Sequence, residues 1–333
     1  MHSNSFKNST GASAGNPEPR DAGDRRKVVI AGGSGFLGRG LADRLIARGD
    51  LVVVLSRRSA PSDLPQQVSW RRWDGKTMGA WAQDLDGADA VVNFVGRSVD
   101  CRKTEANKRE IFASRLDSVR VLGEALRQRA DTGSPLPGVW IQSGTAHIYG
   151  DPLPEDTVLE DGGPVGQGLA PEVGIAWEKE FHENKPAGQR GIVLRTSFVL
   201  GRNGGALQTM ARLARLGLGG RIGSGKQWIS WIHEEDFHRL VMQMIDDTAF
   251  NGVYNVTSPN PVTNKQFMQA LRKASRRPWS PPAPALRFAS RWVMNTDPEL
   301  ALLGRRVLPS RLAAQTGFVF QWPRIQASLA DLL

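Results

Sequence analysis

Lys27-Val-Val-Ile-Ala-Gly-Gly-Ser-Gly-Phe-Leu-Gly-Arg-Gly-Leu-Ala-Asp-Arg-Leu45 is an apolar strand, a glycine-rich turn and an amphipathic helix in immediate succession. Glycine at such a turn permits backbone angles that a Cβ forbids, and its missing side chain lets a pyrophosphate approach the amides at the positive end of the helix. The glycines fit two registers, Gly33-x-Gly35-x-x-Gly38 and Gly32-x-x-Gly35-x-x-Gly38. The surroundings point to a dinucleotide site rather than an ordinary strand-turn-helix. Val28 to Ala31 is strand-like, Leu37, Leu41 and Leu45 recur at helical spacing, and Gly49 stands where a helix C-cap is expected. The residues expected to meet the dinucleotide there are Gly32, Ser34, Gly35, Phe36, Leu37 and Gly38.

Leu51-Val-Val-Val-Leu55 reads as a second buried parallel strand, and the residues after it should meet the adenosine ribose roughly 20 positions beyond the glycines. That place holds Ser56-Arg57-Arg58. A carboxylate there would accept from a ribose 2′-hydroxyl, whereas a guanidinium pairs with a 2′-phosphate. NADP(H) is therefore expected over NAD(H), the plainer alternative being exposed surface arginines. Asp74, after the strand-like Val68 to Trp73, either caps the adenine amino group or begins a turn.

At 333 residues with 40% apolar side chains, the chain has room for about two domains and a sizeable core. No apolar stretch reaches the roughly 18 residues of a membrane span, and the N-terminus lacks a secretory apolar core. The single Cys101 excludes an internal disulfide and fits a reducing compartment, so a soluble cytoplasmic protein is expected. Forty-three Lys and Arg against 33 Asp and Glu give a formal charge of +10. The basic residues are scattered, and the one cluster, Arg272 to Arg277, reads as a solvated helix end. No nucleic-acid partner is expected; the excess suits an anionic cofactor and substrate.

Alternating strands and helical stretches continue through Ala90–Val95, Val139–Gln142 and Gly191–Arg195, with a helical region from Glu105 to Arg129. This pattern predicts an α/β fold, a doubly wound parallel sheet of the Rossmann type with a smaller C-terminal α/β lobe. The expected divisions are a disordered leader over 1–26, a Rossmann domain over 27–258 to which 200–230 adds part of a substrate lobe, and a small domain over 259–333. Prolines at Pro278, Pro281, Pro282 and Pro284 mark the change of character. Loops after residues 31, 56, 95, 143 and 195 should converge on one crevice.

Asn93-Phe-Val-Gly96 resembles the Asn-Leu-Ala-Gly turn of the extended short-chain dehydrogenase/reductase superfamily, and Ser114-Arg115 its Ser-Arg in the next helix. Longer stretches are similar to an atypical branch, the epimerase family proteins with a distinctive C-terminal domain. They are Leu194-Arg-Thr-Ser-Phe-Val-Leu-Gly201, Gly204 to Leu207, Gly219 to His233, Tyr254 to Asn264, Arg306 to Leu312 and Gly317 to Phe320. The resemblance implies that Asn93, Val95, Gly96 and Arg115 join the cofactor site, with an intrahelical ion pair as the alternative for Arg115. For Arg115 an anionic substrate is a further alternative. The resemblance also implies a Ser or Thr after the fifth strand, which Thr145 matches, and a Tyr-x-x-x-Lys on the next helix. That tyrosine is missing: the chain has only Tyr149 and Tyr254, followed four residues later by Leu153 and Ser258. Lys179, in the stretch Val173 to Glu180, has Ile175 four residues before it. Isoleucine carries no titratable proton.

His147 and Glu178 are possible substitutes, set against a structural histidine and a surface carboxylate. Tyr149 resembles a structural Tyr-Gly turn. His233 and His238 stand five apart and cannot share a helical face as metal ligands would, so no metal site is expected; Asp236 reads as a cap. Trp228 and Trp231 either line the crevice or pack in the core. Two functions remain: an NADP(H)-dependent oxidoreductase or epimerase-like enzyme with catalytic Thr145 and an unidentified small-molecule substrate, or a non-catalytic NADP(H)-responsive protein. Superfamily members often dimerise through the helices after the fourth and fifth strands, and monomer and homodimer both stay open.

Overall fold

Four-residue runs such as Val28-Val-Ile-Ala31 leave no polar face, so their strands must be covered on both sides. The computed structural model, which describes residues 25–62, 64–99, 101–150, 157–158, 160, 165–277 and 304–333, shows this arrangement. Strands β1 (Lys27–Ala31), β2 (Leu51–Ser56), β3 (Val68–Arg72), β4 (Ala90–Asn93), β5 (Val139–Thr145), β7 (Gly191–Thr196) and β11 (Gly252–Val256) form a seven-stranded sheet in the order β11-β7-β5-β4-β1-β2-β3. Every neighbouring pair is parallel. The order reverses between β1 and β4, which opens the crevice at the carboxyl ends of those strands.

Alternate residues of each strand feed two cores. Val28 and Ile30 meet α1 (Phe36–Ala47) and α5 (Glu234–Asp246) on one face through Leu41, Leu45, Phe237 and Leu240. Val29 and Ala31 meet α2 (Glu105–Asp131) and α3 (Leu169–Asn184) on the other through Val119, Leu122, Trp177 and Phe181. Thr104 caps α2 by accepting from the Asn107 amide, which satisfies one of the helix's free donors.

A third core lies outside the sheet. It joins α4 (Leu207–Arg215), α6 (Asn264–Ala274) and the last helix, α8 (Ile325–Leu332), through Ala211, Trp231, Phe267, Leu271 and Leu329. Short strands accompany it: β8 (Phe198–Leu200) pairs with β10 (Trp231–His233), and β9 (Trp228–Ile229) with β12 (Val262–Thr263). The C-terminal residues divide between cores. Leu312 of α7 (Ser310–Gln315) and Phe318 pack on the main sheet, whereas Ile325, Leu329 and Leu332 complete the third core. A two-residue strand β13 (Arg306–Val307) pairs with β6 (Thr157–Val158).

Arg26, counted with the leader from sequence, belongs to the fold: its amide donates to Asp50 and its guanidinium to Asp89. The rest of the leader as far as residue 24, the prolines from Pro278 to Pro284, and Leu153 lie outside the described residues. No helix among those described is long and apolar enough to cross a membrane.

Candidate functional site

The turn after β1 decides between the two glycine registers. Gly32 has φ +76°, a left-handed conformation that costs a side chain free energy, and its amide donates to the Leu55 carbonyl at 3.0 Å. Gly35 caps α1 and donates to the Gly32 carbonyl at 3.0 Å. A Cβ on Gly38 would lie 2.5 Å from that same oxygen and 2.6 Å from Gly33 Cα. Gly32-x-x-Gly35-x-x-Gly38 is thus the working register, with Gly33 packed on Val54. The turn fits a dinucleotide, because these absent side chains form the cradle that a pyrophosphate needs. Phe36 turns its ring under Gly201, Gly204 and Gly205, while Leu37 packs against the main core and its carbonyl accepts from His238 Nε2 at 3.1 Å. Ser34 and Ser56 join β1 and β2 across the crevice, their Oγ atoms 2.8 Å apart.

Arg57 and Arg58 are exposed just past β2, and the Arg58 amide donates to Ser56 Oγ at 3.0 Å. Arg57 lines a cavity of about 490 Å³ together with Arg71, Arg72, Trp73, Asp74, Met78 and Trp81. Sequence reading missed Arg71 and Arg72. Their signal is the sheet register, which sets Arg72 beside Ser56, and register is a tertiary fact. Arg71 also pairs with Asp84 at 2.7 Å. Of its two alternatives, Asp74 takes the turn: its carboxylate accepts from the Thr77 and Lys76 amides and the Thr77 hydroxyl, and these bonds hold its pKa below the usual range.

Asn93 is fully buried at the end of β4. Its Oδ1 accepts from the Val95 amide at 3.0 Å, and its Nδ2 donates to Gln142 and Ser118. That network fixes the turn carrying Val95 and Gly96. A Cβ on Gly96 would stand 3.3 Å from Arg115 Cζ. The ion-pair alternative for Arg115 is not what the structure holds: among the described residues its partners are the carbonyls of Arg97 and Ile111 and the face of Trp177, 4.9 Å away. Burial draws its pKa down to about 10.

Thr145 ends β5, and its Oγ1 accepts from the His147 amide at 3.1 Å. The hydroxyl proton remains free to donate elsewhere. Facing it is Gly174 of α3, where a Cβ would lie 3.1 Å from Thr145 Cγ2 and from Ile148 Cβ. Lys179 points away, 70% exposed and 3.8 Å from Glu183, and Ile175 is 41% exposed. Burial, reinforced by the Arg305 charge, pushes His147 well below its ordinary value, so its ring is neutral.

Glu178 is corrected from a surface carboxylate to a buried one. It grips Arg195 with both oxygens at 2.8 Å, and Arg195 reaches on to the Tyr149 hydroxyl, which donates to Asn255. Tyr149 is therefore structural, and burial raises its pKa. His233 caps α5 by accepting from the Glu235 amide, contacts Asp331 and stacks on Trp322; burial pulls it to about 4. Asp236 is not the cap expected from sequence, a place His233 takes; it accepts from the Gln321 and Trp322 amides and so anchors the C-terminal segment. Trp231 is fully buried in the third core, and Trp228 lies under the Arg306 guanidinium.

A parallel seven-stranded sheet with this glycine turn after β1 is a Rossmann-type dinucleotide fold, and the hydroxyl residue ending β5 matches the extended short-chain dehydrogenase/reductase class that the sequence resembles. The model of the NAD dependent epimerase/dehydratase family matches residues 28–257, and a Domain of unknown function (DUF1731) matches residues 281–332. The chain belongs to that epimerase/dehydratase family. It is 31% identical over 306 residues to Epimerase family protein YfhF of Bacillus subtilis, covering 92% of this chain and 97% of the relative. It is 30% identical to the chloroplastic Epimerase family protein SDR39U1 homolog of Arabidopsis thaliana, covering 92% and 86%. The crystal structure of human epimerase family protein SDR39U1 (isoform 2) with NADPH superposes with a TM-score of 0.77 at 30% identity, covering 92% of this chain and 98% of that one.

Proposed function

We propose that this chain is an NADP(H)-binding oxidoreductase or epimerase-like enzyme acting on a small molecule without a Tyr-x-x-x-Lys pair. The observation that carries the cofactor choice is the arginine-lined cavity at the ends of β2 and β3, beside the Gly32-Gly35-Gly38 turn. A 2′-phosphate is the ligand those guanidinium groups suit, Arg57 from one strand end and Arg72 from the next, with exposed Arg58 following Arg57 in sequence. Asn93 fixes the Val95-Gly96 turn, which would line the remainder of a bound dinucleotide. NADP(H), when bound, supplies or accepts a hydride.

Thr145 is the proposed catalytic residue. Its free proton donates to a substrate carbonyl oxygen and steadies the charge that develops there. Neutral His147 is a poor acid near pH 7, so the proton completing a reduction comes from solvent. A second reading, a non-catalytic NADP(H)-responsive protein, is favoured by Gly174, which fills the helix face opposite Thr145 without a titratable group.

Titration with NADPH, NADP+, NADH and NAD+, followed by a scan for hydride transfer, tests both. NADPH should bind at least about tenfold more tightly than NADH, and Arg57→Ala with Arg58→Ala should erase that preference. Thr145→Ala should abolish turnover while leaving NADPH binding within about twofold. Turnover that survives Thr145→Ala removes Thr145 from the chemistry. Tight binding with no turnover over a broad panel selects the non-catalytic reading, and no binding of any dinucleotide ends both.

A further inference from the structure

An arginine makes its strongest carboxylate contact through two parallel N–H donors on one edge. Among the described residues two arginines do so with both carboxylate oxygens, and Arg44 and Arg48 turn the same edge to a single oxygen. Arg195 gives its Nε and Nη2 to the two oxygens of Glu178, and Arg120 gives the same edge to Glu180 at 2.7 and 3.0 Å. Arg115 has that edge empty. Its Nη1 is spent on the carbonyls of Arg97 and Ile111, while its Nε is buried with no hydrogen-bond partner and its Nη2 donates to no described group. No carboxylate among the described residues lies in ion-pair distance of it.

The surroundings place that empty edge at the reaction end of the crevice. Gly96, in the turn after β4, lies alongside the guanidinium, close enough that a Cβ there would stand 3.3 Å from Cζ and Nη2. On the other side Trp177 backs the guanidinium. Trp177 stands three residues after Gly174, the residue packed on Thr145, and helix positions i and i+3 share a face about 5–6 Å apart. Arg115 and Thr145 therefore flank the same face of α3. A positive group held there by neutral contacts alone is costly unless an anion completes it.

We propose that Arg115 is the receptor for a carboxylate of the substrate, so that the molecule acted on is an oxo or hydroxy acid with its reacting oxygen on Thr145. This rests on the NADP(H) enzyme reading and adds the substrate class. A cofactor phosphate shares the same anionic chemistry, and the experiment separates the two sources.

The arginine Nε–H resonances of the isotope-labelled full chain are followed by NMR, with Arg115 identified by its disappearance in Arg115→Lys. The probes are NADP+, 2-oxoglutarate, and the neutral dimethyl ester of 2-oxoglutarate, the last two added with and without NADP+. The expected result is that 2-oxoglutarate shifts the Arg115 signal downfield, the diester does not, and NADP+ alone leaves it in place. Arg115→Lys should weaken 2-oxoglutarate by about tenfold or more while NADP+ affinity stays within about twofold. A shift produced by NADP+ alone, with nothing added by the acid, assigns the edge to the cofactor and overturns the proposal. So does a signal indifferent to every probe. Failure of NADP+ to bind wild-type protein defeats the cofactor reading instead, and the acid arm without nucleotide still decides Arg115.

Discussion

At the glycine turn one end of the crevice is made of backbone, while at Thr145 the other end is made of side chains. The first end leaves no alternative: a Cβ on Gly38 would lie 2.6 Å from Gly33 Cα, and Gly32 occupies a left-handed conformation. The second end has been rebuilt. A glycine, Gly174, stands opposite Thr145, Lys179 faces solvent, and a guanidinium from α2 lies one turn along the same helix face. Steric requirements on a phosphate cradle admit few residues, whereas a proton donor or a charge can be supplied from several positions. Binding machinery and reaction machinery can therefore diverge independently on one sheet.

The largest expected effect falls at the rebuilt end. Glu178→Ala strands the Arg195 guanidinium, whose side chain is 15% exposed, and should cost about 3–5 kcal/mol, read as a lowered urea midpoint. A loss below about 1 kcal/mol would rank the pair with surface ion pairs and leave α3 anchored mainly by Trp177 and Phe181. Next comes the backbone end. Gly38→Ala should cost about 1–3 kcal/mol, because the new Cβ must displace Gly32 and Gly33, and it should weaken NADPH by about tenfold or more. Unchanged NADPH affinity in a folded Gly38→Ala protein would show that the cradle tolerates a side chain and would break the contrast.

Acid should probe both ends at once, with a smaller effect. His238, bonded to Leu37 behind the glycine turn, is lowered to about 3 by burial, and His147 beside Thr145 is also pushed well down. A histidine whose folded pKa is depressed takes up its proton first in the unfolded chain. Stability is therefore full above roughly pH 6.5 and declines as the pH falls toward about 3. Urea unfolding at several pH values should show that slope, and His238→Gln should flatten part of it. A stability profile level across that window would mean that both rings accept protons in the folded state.

The four early strands, the glycine turn and the helix after it were legible because a continuous apolar run, a Gly cluster and a 3.6-residue period are local signals. The arginines after β2 were legible for the same reason. Arg72 was not, since only the β2–β3 register carries it to Ser56. Glu178 looked like a surface residue because its neighbours in sequence, Lys179 and Glu180, are charged; its partner Arg195 lies on β7. The third core was only partly legible, because its residues come from 200 to 332 and meet by packing.

The sequence by itself determined six of the sheet's seven strands, the glycine turn, the arginines after β2 and the absence of a Tyr-x-x-x-Lys pair, because each depends on residue type at short spacing. Only the tertiary structure decided which glycine register works, that Glu178 is a buried partner, and that Arg115 keeps an unpaired donor edge against Trp177. Those depend on distances between elements far apart in the chain, and such distances are set by packing of the whole sheet against its helices.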